Sequence, residues 1–263
     1  MTTPEPRLRR LVRRLPGARA LAGLARRLLS PDHREIHRLQ REERGRLLQP
    51  FPTTSDDRYP RLFDALAERL AAVAQPRILS FGCASGEEVR ALRRRMPQAR
   101  IVGIDLNRRA IAAALAADPN PLSDYRCDGA PRADDRFDAV LAMAVFRHGE
   151  LALHRPPDCS AILPFARFAE ALEQLDRVLE PGGWLLLYNQ HFRLADTALA
   201  AHYAADPLRA EPGGGQLRGL TLLYGPNDQR IEGACETAVL FRKRGIADPG
   251  GSGSGSDRAA PGL

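Results

Sequence analysis

Apolar and amphipathic segments alternate along the middle of the chain. Four apolar runs have the length of buried strands, at residues 77–82, 100–106, 137–145 and 184–189. Segments with apolar residues at helical spacing precede or separate them, at 61–74, 86–96, 108–118 and 165–179. This alternation predicts an α/β domain, in which a mostly parallel sheet carries helices on both faces. A short additional strand is predicted at 124–128.

Two further apolar segments near the C-terminus have no helical segment between them. They are LRGLTLLYG at 217–225 and ETAVLFRKR at 236–244, and the residues that separate them favour turns. We therefore expect an antiparallel hairpin that closes one edge of the sheet.

The two ends of the chain differ from this central pattern. Residues 7–29 place leucines on two short helical stripes, which a Pro-Gly pair separates, and arginines fill the other faces. Residues 247–263 are rich in Gly, Ser and Pro, a composition that cannot form a core and predicts a disordered tail. The predicted organisation is thus a basic helical extension at 1–55, one domain at 56–246 and the tail.

The positive charge of the chain is concentrated in its first 50 residues. They hold 13 arginines against five acidic residues, whereas the whole chain of 263 residues has a net charge of +7. A basic amphipathic extension packs on its domain with the arginines outward, or it binds an anionic membrane surface or a nucleic acid. The sequence leaves these interpretations open, and nucleic acid is the least favoured of them.

Cysteine spacing and hydropathy indicate the cellular compartment that the sequence favours. The four cysteines, Cys83, Cys127, Cys159 and Cys235, lack the C-x-x-C spacing of a zinc site or a redox motif. The sequence has no run of about 18 apolar residues, so it predicts neither a membrane span nor a signal peptide. We therefore expect a cytoplasmic protein that binds no metal, with peripheral contact at the inner membrane face as the alternative.

The turn after the first predicted strand has the residues of a ligand-binding loop. The sequence RILSFGCASGEE at 77–88 ends an apolar strand with Gly82, Ala84 and Gly86, and a helix follows. Small residues allow a ligand to approach the backbone, and amide groups at a helix start point outward. The dinucleotide fingerprint has glycines at relative positions one, three and six. The different spacing here argues against nicotinamide and flavin dinucleotides.

Two acidic residues follow the next two predicted strands, at the sheet edge where ligands bind in such folds. Asp105 ends the second strand, where a carboxylate accepts hydrogen bonds from the hydroxyl groups of a ribose. Helix capping is the alternative, although Asn107 is an equally good cap and stands nearer the next helix. Asp128 ends the third strand, where it accepts a hydrogen bond from an adenine amino group or simply forms an Asp-Gly turn.

Five motifs in this order resemble those of the class I S-adenosylmethionine-dependent methyltransferases. They are ILSFGCASG, VGIDLN, YRCDGAP, FDAVLAMAVFRH and LDRVLEPGGWLLL, and the resemblance covers residues 77–189. It implies a Rossmann-like, mostly parallel seven-stranded sheet with a C-terminal antiparallel hairpin. It also implies methyl transfer, with S-adenosyl-L-methionine as the cofactor.

The resemblance further implies which residues bind the cofactor. The first motif would surround its amino acid and sulfonium part, Asp105 would hold the ribose, and later motifs would meet the adenine edge and the methyl-bearing centre. The full set is Ser80, Gly82, Cys83, Ala84, Gly86, Asp105, Leu106, Asn107, Asp128, Gly129, Ala142 and Met143. Two positions depart from the family, because Ser80 replaces a usual acid and Ala84 replaces a usual glycine.

Two histidines are predicted as general bases that face the methyl acceptor. His148 follows the fourth predicted strand and His191 follows the fifth, and an unperturbed histidine has a pKa of about 6.5. Hydrogen bonding within the core is the alternative for both. Tyr188 or Asn189 would orient an acceptor hydroxyl, and residues 58–59 would form either part of a lid or an ordinary connector.

We therefore expect a methyltransferase that acts on a small-molecule, glycan or lipid-linked acceptor. A non-catalytic binding protein of the same fold is one alternative, motivated by Ser80 and Ala84. A protein or nucleic-acid methyltransferase that docks through its basic N-terminus is another. The motif GCASGEE is also similar to that of the chemoreceptor glutamate methyltransferases, but VRA follows it instead of their PYS, so the relationship is distant.

Overall fold

The computed structural model describes residues 30–210 and 221–245. The predicted helices at 7–29 and the predicted tail at 247–263 lie outside these residues. Within them the strands are β1 (Arg77–Phe81), β2 (Arg100–Ile104), β3 (Ser123–Arg126), β4 (Phe137–Met143), β5 (Leu179–Tyr188), β6 (Tyr203–Ala205), β7 (Leu223–Tyr224), β8 (Arg230–Ile231) and β9 (Leu240–Lys243). The helices are α1 (Pro31–Glu42), α2 (Pro60–Arg69), α3 (Glu87–Arg95), α4 (Arg108–Ala117), α5 (Gly149–His154) and α6 (Phe165–Val178).

Seven of the strands form one sheet in the order β3-β2-β1-β4-β5-β9-β6. Neighbouring strands from β3 to β5 are parallel, whereas β9 runs antiparallel to both β5 and β6. The predicted α/β class is therefore confirmed, with its mostly parallel seven-stranded sheet and its C-terminal antiparallel pair.

The members of that antiparallel pair differ from the prediction. The partner of β9 at the sheet edge is β6, which the sequence analysis did not assign as a strand. The described end of the segment 217–225 instead forms β7, which pairs with β8 in a separate two-stranded sheet. The reason is a tight reversal directly after β7, where the amide of Gly225 donates to the carbonyl of Gln229 and that of Asp228 donates to Gly225.

Helices cover both faces of the sheet because successive side chains of each central strand point in opposite directions. On β1, Ile78 belongs to a core cluster formed with α2, α3 and α4, whereas Leu79 belongs to a second cluster formed with α6. Among the described residues, no helix combines the length and the hydrophobicity that a bilayer crossing requires.

Helix α1 packs on the domain next to the carboxyl end of β2. Ser30 caps the helix, since its hydroxyl accepts the amide of His33, and proline at the first helical position favours the start. The carboxylate of Glu35 accepts the amide of Arg108 at 3.0 Å, and Arg38 donates to the carbonyl of Leu106 at 3.1 Å. This part of the N-terminal extension therefore lies against the domain.

Candidate functional site

Two clefts open at the carboxyl ends of β1, β2 and β4. The larger encloses about 710 Å³ and lies beneath the segment 46–53, which we call the strap. The smaller has a volume of about 400 Å³, part of it open to solvent, and is lined by residues 53–55 and 58–59, by the β1–α3 turn and by Glu88. The clefts share Thr53, Gly82, Ala84 and Met143 in their walls, so they form one continuous site with two ends.

The β1–α3 turn forms the floor of both clefts. The amides of Gly82 and Cys83 donate to the carbonyl of Ile104 at 2.8 and 3.0 Å, which holds the turn against the end of β2. Gly82 has a φ of +74°, and a β-carbon there would lie 2.6 Å from the side chain of Val145. Ala84 also has a positive φ, +46°, at the position where the family usually has glycine. Its backbone therefore adopts the glycine conformation at the cost of some strain.

Asp105 joins this turn to β2. One carboxylate oxygen accepts the amide of Ala84 at 2.9 Å, and the other accepts the amide of Asn107 at 2.8 Å. Burial raises the pKa of Asp105, and the two backbone hydrogen bonds oppose that shift. Each oxygen keeps a further lone pair for a ligand hydroxyl. Asn107 caps α4 by accepting the amide of Ala110, so the capping role belongs to Asn107.

Asp128 combines a turn with an ion pair at the outer edge of the larger cleft. Its carboxylate accepts the amide of Gly129 at 2.7 Å, as in an Asp-Gly turn. The same oxygen accepts a hydrogen bond from the Arg46 guanidinium of the strap at 2.6 Å. Both side chains are about half exposed, so the ion pair contributes little stability, of order 0–1 kcal/mol. Asp128 therefore remains accessible to a ligand that displaces Arg46.

Glu88 is a site residue that the sequence analysis did not find. Ser80 is fully buried, and its hydroxyl donates to the Glu88 carboxylate at 2.7 Å. Burial raises the pKa of Glu88 to about 7, against the opposing effects of the Ser80 hydrogen bond and the Arg58 charge. A carboxyl group thus lies beside the end of β1, where the family usually has the acid that Ser80 replaces. The available signal was the second glutamate of GEE, which is the second residue of the helix that follows the loop.

Nine of the twelve predicted cofactor residues line one of these two clefts. They are Gly82, Cys83, Ala84, Asp105, Leu106, Asn107, Asp128, Gly129 and Met143. The other three line neither cleft: Ser80 donates a hydrogen bond to Glu88, Ala142 is fully buried in the core, and Gly86 is the N-cap residue of α3. Within residues 30–210 and 221–245, no group of three or more His, Cys, Asp or Glu side chains is arranged to hold a metal ion.

Gly86 provides a test of how tightly the turn is built. Its φ is +80°, and a β-carbon there would lie 2.8 Å from the Tyr125 hydroxyl and 3.1 Å from Ala114. We expect Gly86→Ala to lower the free energy of unfolding by about 2–4 kcal/mol, through backbone strain and crowding together. Gly233→Ala is the matched control, because Gly233 has a φ of +67° with no atom within 4 Å of a β-carbon. The control should lose only about 1–2 kcal/mol in urea unfolding, and equal losses would contradict the crowding.

The two predicted bases are both engaged by the backbone. His148 caps α5, since its Nδ1 accepts the amide of Glu150 at 3.3 Å, and burial lowers its pKa. The neutral ring therefore carries its proton on Nε2 and presents no free acceptor nitrogen.

His191 is fully buried, with Nδ1 at 2.7 Å from the carbonyl of Leu222 and Nε2 at 3.3 Å from the carbonyl of His148. Burial lowers its pKa as well. In this geometry both rings position loops, and neither lines a cleft wall described above.

The carboxyl ends of β4 and β5 carry unusual backbone conformations. Ala144 and Asn189 both have a φ of +59°, and the amide of Ala144 donates to the carbonyl of Tyr188 at 2.8 Å. The Asn189 side chain accepts the hydroxyl of Thr221 at 2.6 Å. Tyr59 packs edge-on against Tyr188, with ring centroids 5.0 Å apart. Left-handed backbone at non-glycine residues is typical of ligand-binding sites, and here it follows two strands of the same sheet edge.

The comparisons with known proteins define the class of the domain. A family model described as a methyltransferase domain matches residues 54–213. The chain belongs to this family, and the class predicted from the motifs, with its Rossmann-like fold and S-adenosylmethionine as cofactor, is thereby confirmed. No curated protein matches the sequence significantly.

Several solved structures are similar to the chain. The plantazolicin methyltransferase BpumL, in complex with a monoazolic desmethylPZN analog and SAH, is 20% identical, with 68% of this chain and 61% of that chain covered and a TM-score of 0.38. The cyclopropane synthase MmaA2 from Mycobacterium tuberculosis is 18% identical, with 60% and 52% covered and a TM-score of 0.40. The [4+2]-cyclase SpnF is 26% identical, with 48% and 43% covered and a TM-score of 0.37. The matched part of this chain thus spans about three fifths or less of the length of these proteins.

Proposed function

We propose that this chain transfers a methyl group from S-adenosylmethionine to a small-molecule acceptor. The observation that carries the proposal is the pair of connected clefts, with Asp105 facing one end and Glu88 the other. The residues fit the cofactor, because a nucleoside needs an acceptor for its ribose hydroxyls and an amino acid needs a carboxylate for its ammonium group. The part of the cofactor between its ribose and its ammonium group would then lie along the β1–α3 turn.

In this proposal the larger cleft holds the adenosine. Asp105 accepts the ribose hydroxyls, and Asp128 and Gly129 meet the adenine edge once Arg46 moves aside. The smaller cleft holds the amino acid part, with the carboxylate of Glu88 accepting the ammonium group. The sulfur then lies near Gly82, Ala84 and Met143, which both clefts share.

When bound, S-adenosylmethionine would supply an electrophilic methyl group to a lone pair of the acceptor, and the electron pair of the broken carbon–sulfur bond would stay on sulfur. The protein supplies position and exclusion of water, which are large effects in such a displacement. The acceptor's proton leaves to solvent, since neither His148 nor His191 lines the two clefts. The buried ring of His191 instead lies between the carbonyls of His148 and Leu222 and, when neutral, donates a hydrogen bond to one of them.

Incubation of the full chain with S-adenosylmethionine labelled in its methyl group, together with a fractionated cell extract, tests this proposal. We expect label in a small-molecule fraction, dependent on active protein and strongly reduced with an Asp105→Asn variant at a cofactor concentration that does not saturate it. Label in a glycan or lipid-linked fraction would support methyl transfer by this chain but would show that its acceptor belongs to a different class. Cofactor binding without transfer to any fraction would instead favour the non-catalytic alternative, and label in protein or nucleic acid would overturn the small-molecule assignment.

A further inference from the structure

Arg46, at the start of the strap, lies across the end of the larger cleft that the proposed function assigns to adenine. Its guanidinium donates to the Asp128 carboxylate at 2.6 Å. A β-carbon on Gly129 would lie 3.0 Å from Nη2 and 3.1 Å from Nε of the same guanidinium. The side chain of Leu106 approaches that point to 3.1 Å as well. A purine ring that contacts both Asp128 and Gly129 would therefore need the space that the guanidinium fills.

The backbone on either side of Arg46 is held in place, so the movable part is its side chain. The amides of Arg46 and Leu47 both donate to the carbonyl of Glu43 at 2.8 Å, in a turn directly after α1. Arg167 donates to the carbonyl of Leu47 at 3.2 Å, and the next residue, Leu48, is buried in the core. Opening of the cleft at this end therefore requires rotation of one side chain and no displacement of the strap.

Arg46 also has a second acidic partner, which does not line the larger cleft. Nη1 of its guanidinium lies 3.5 Å from the carboxylate of Glu43, the residue that caps the C-terminus of α1. A guanidinium has five N–H donors in a planar fork, so it can keep one carboxylate while it leaves another. The pair with Asp128 is about half exposed, and exposed ion pairs are weak. Arg46 can therefore release Asp128 and remain paired with Glu43.

We propose that Arg46 is a gate for the cofactor, which closes the adenine end of the larger cleft by pairing with Asp128 and opens by turning to Glu43 alone. This inference rests on the proposed function and deepens it, because it assigns control of cofactor entry and release to one residue. Only the open arrangement accepts adenine, so the fraction of closed protein lowers the association rate and the affinity in proportion. On binding, the adenine amino group donates to Asp128 in place of the guanidinium.

Association and dissociation of S-adenosylhomocysteine on the immobilised full chain, measured by surface plasmon resonance, test the gate. Arg46→Gln should raise the association rate and the affinity about three- to fivefold, which corresponds to the loss of one exposed ion pair. Arg44→Gln is the matched control and should change neither, because Arg44 is exposed two positions away and loses the same charge. Raising the salt concentration from about 0.01 to about 0.5 M should speed association in the wild type more than in Arg46→Gln, since salt screens the pair.

An Asp128→Asn background shows whether the gate acts through this ion pair. Asparagine carries no charge, so the guanidinium is no longer held across the cleft by an ion pair. In that background Arg46→Gln should change the association rate little, although Asp128→Asn by itself weakens the contact with adenine. Thermal unfolding establishes that each variant is folded.

Two results would overturn the inference. One is an Arg46→Gln protein that binds S-adenosylhomocysteine no faster than Arg44→Gln does. The other is weaker binding by Arg46→Gln, because the guanidinium would then contact the bound cofactor instead of excluding it. Both results leave the proposed function intact, whereas failure of the wild type and of both arginine variants to bind S-adenosylhomocysteine would refute the proposed function and the gate together.

Discussion

Replacing Asp105 with asparagine should weaken the binding of S-adenosylhomocysteine about 100-fold. The carboxylate would accept two hydroxyl hydrogen bonds, and hydrogen bonds to a charged group contribute about 1.5–3 kcal/mol each. Asparagine keeps one acceptor oxygen. Its NH₂ group would face one of the two backbone amides that donate to Asp105 in the wild type, so two donors would meet there. Calorimetric titration with S-adenosylhomocysteine measures the loss directly.

The substitution at Asp105 also affects folding, so stability must be measured beside affinity. Two backbone amides donate to this carboxylate, and leaving one unsatisfied costs of order 1–3 kcal/mol. Urea unfolding therefore defines conditions in which the variant is fully folded for the titration. Asp134→Asn is the matched control, because Asp134 is exposed on the loop before β4. If the folded Asp105→Asn protein binds as tightly as the control, Asp105 does not hold the ribose.

Replacing Glu88 with glutamine should remove most of the pH dependence of cofactor affinity. Because the pKa of Glu88 is about 7 in the protein without ligand, its carboxyl group is largely protonated at pH 5.5 and cannot pair with an ammonium group. Affinity for S-adenosylhomocysteine in the wild-type protein should therefore rise with pH, by up to about tenfold per unit, and level off above 7. In Glu88→Gln it should be weaker and nearly constant.

Glu88 should also make the free energy of unfolding fall as the pH rises, whereas cofactor affinity rises with pH. The folded protein holds a proton on Glu88 between the ordinary pKa of 4.5 and about 7, whereas the unfolded chain releases it. The stabilising contribution of Glu88 to the free energy of unfolding is therefore complete below pH 4.5, and it is lost as the pH rises through 7. Glu88→Gln should be more stable than the wild type at pH 8 and similar to it near pH 4.5. Glu87→Gln, one position away on the same helix, controls for the loss of charge; the same affinity profile in that variant would contradict the role of Glu88.

The sequence predicted the parts of the site that strand order alone determines. Asp105 and Asp128 end neighbouring parallel strands, so their arrival at one sheet edge follows from the alternation of strands and helices. The β1–α3 turn was located for the same reason, and Gly82 and Ala84 of this turn line both clefts. The fold class followed from the same regular pattern.

Other parts depend on packing that no periodic pattern encodes. The place of Glu88 depends on how α3 is rotated about its axis, and a GEE sequence does not reveal which glutamate faces inward. The strap at 46–53 has no helical or strand period, yet it lines the larger cleft through Leu47, Leu48 and Phe51. His191 was predicted to face an acceptor, whereas its full burial arises from contacts with segments distant in the chain.

A crystal structure of the full chain with S-adenosylhomocysteine is the most direct test of the central claim, that the two clefts form one cofactor site. The account predicts adenosine in the larger cleft with its ribose on Asp105, sulfur beside Gly82 and Ala84, and the ammonium group within hydrogen-bond distance of Glu88. Ligand density in the reverse orientation, or at any place outside these two clefts, would contradict it.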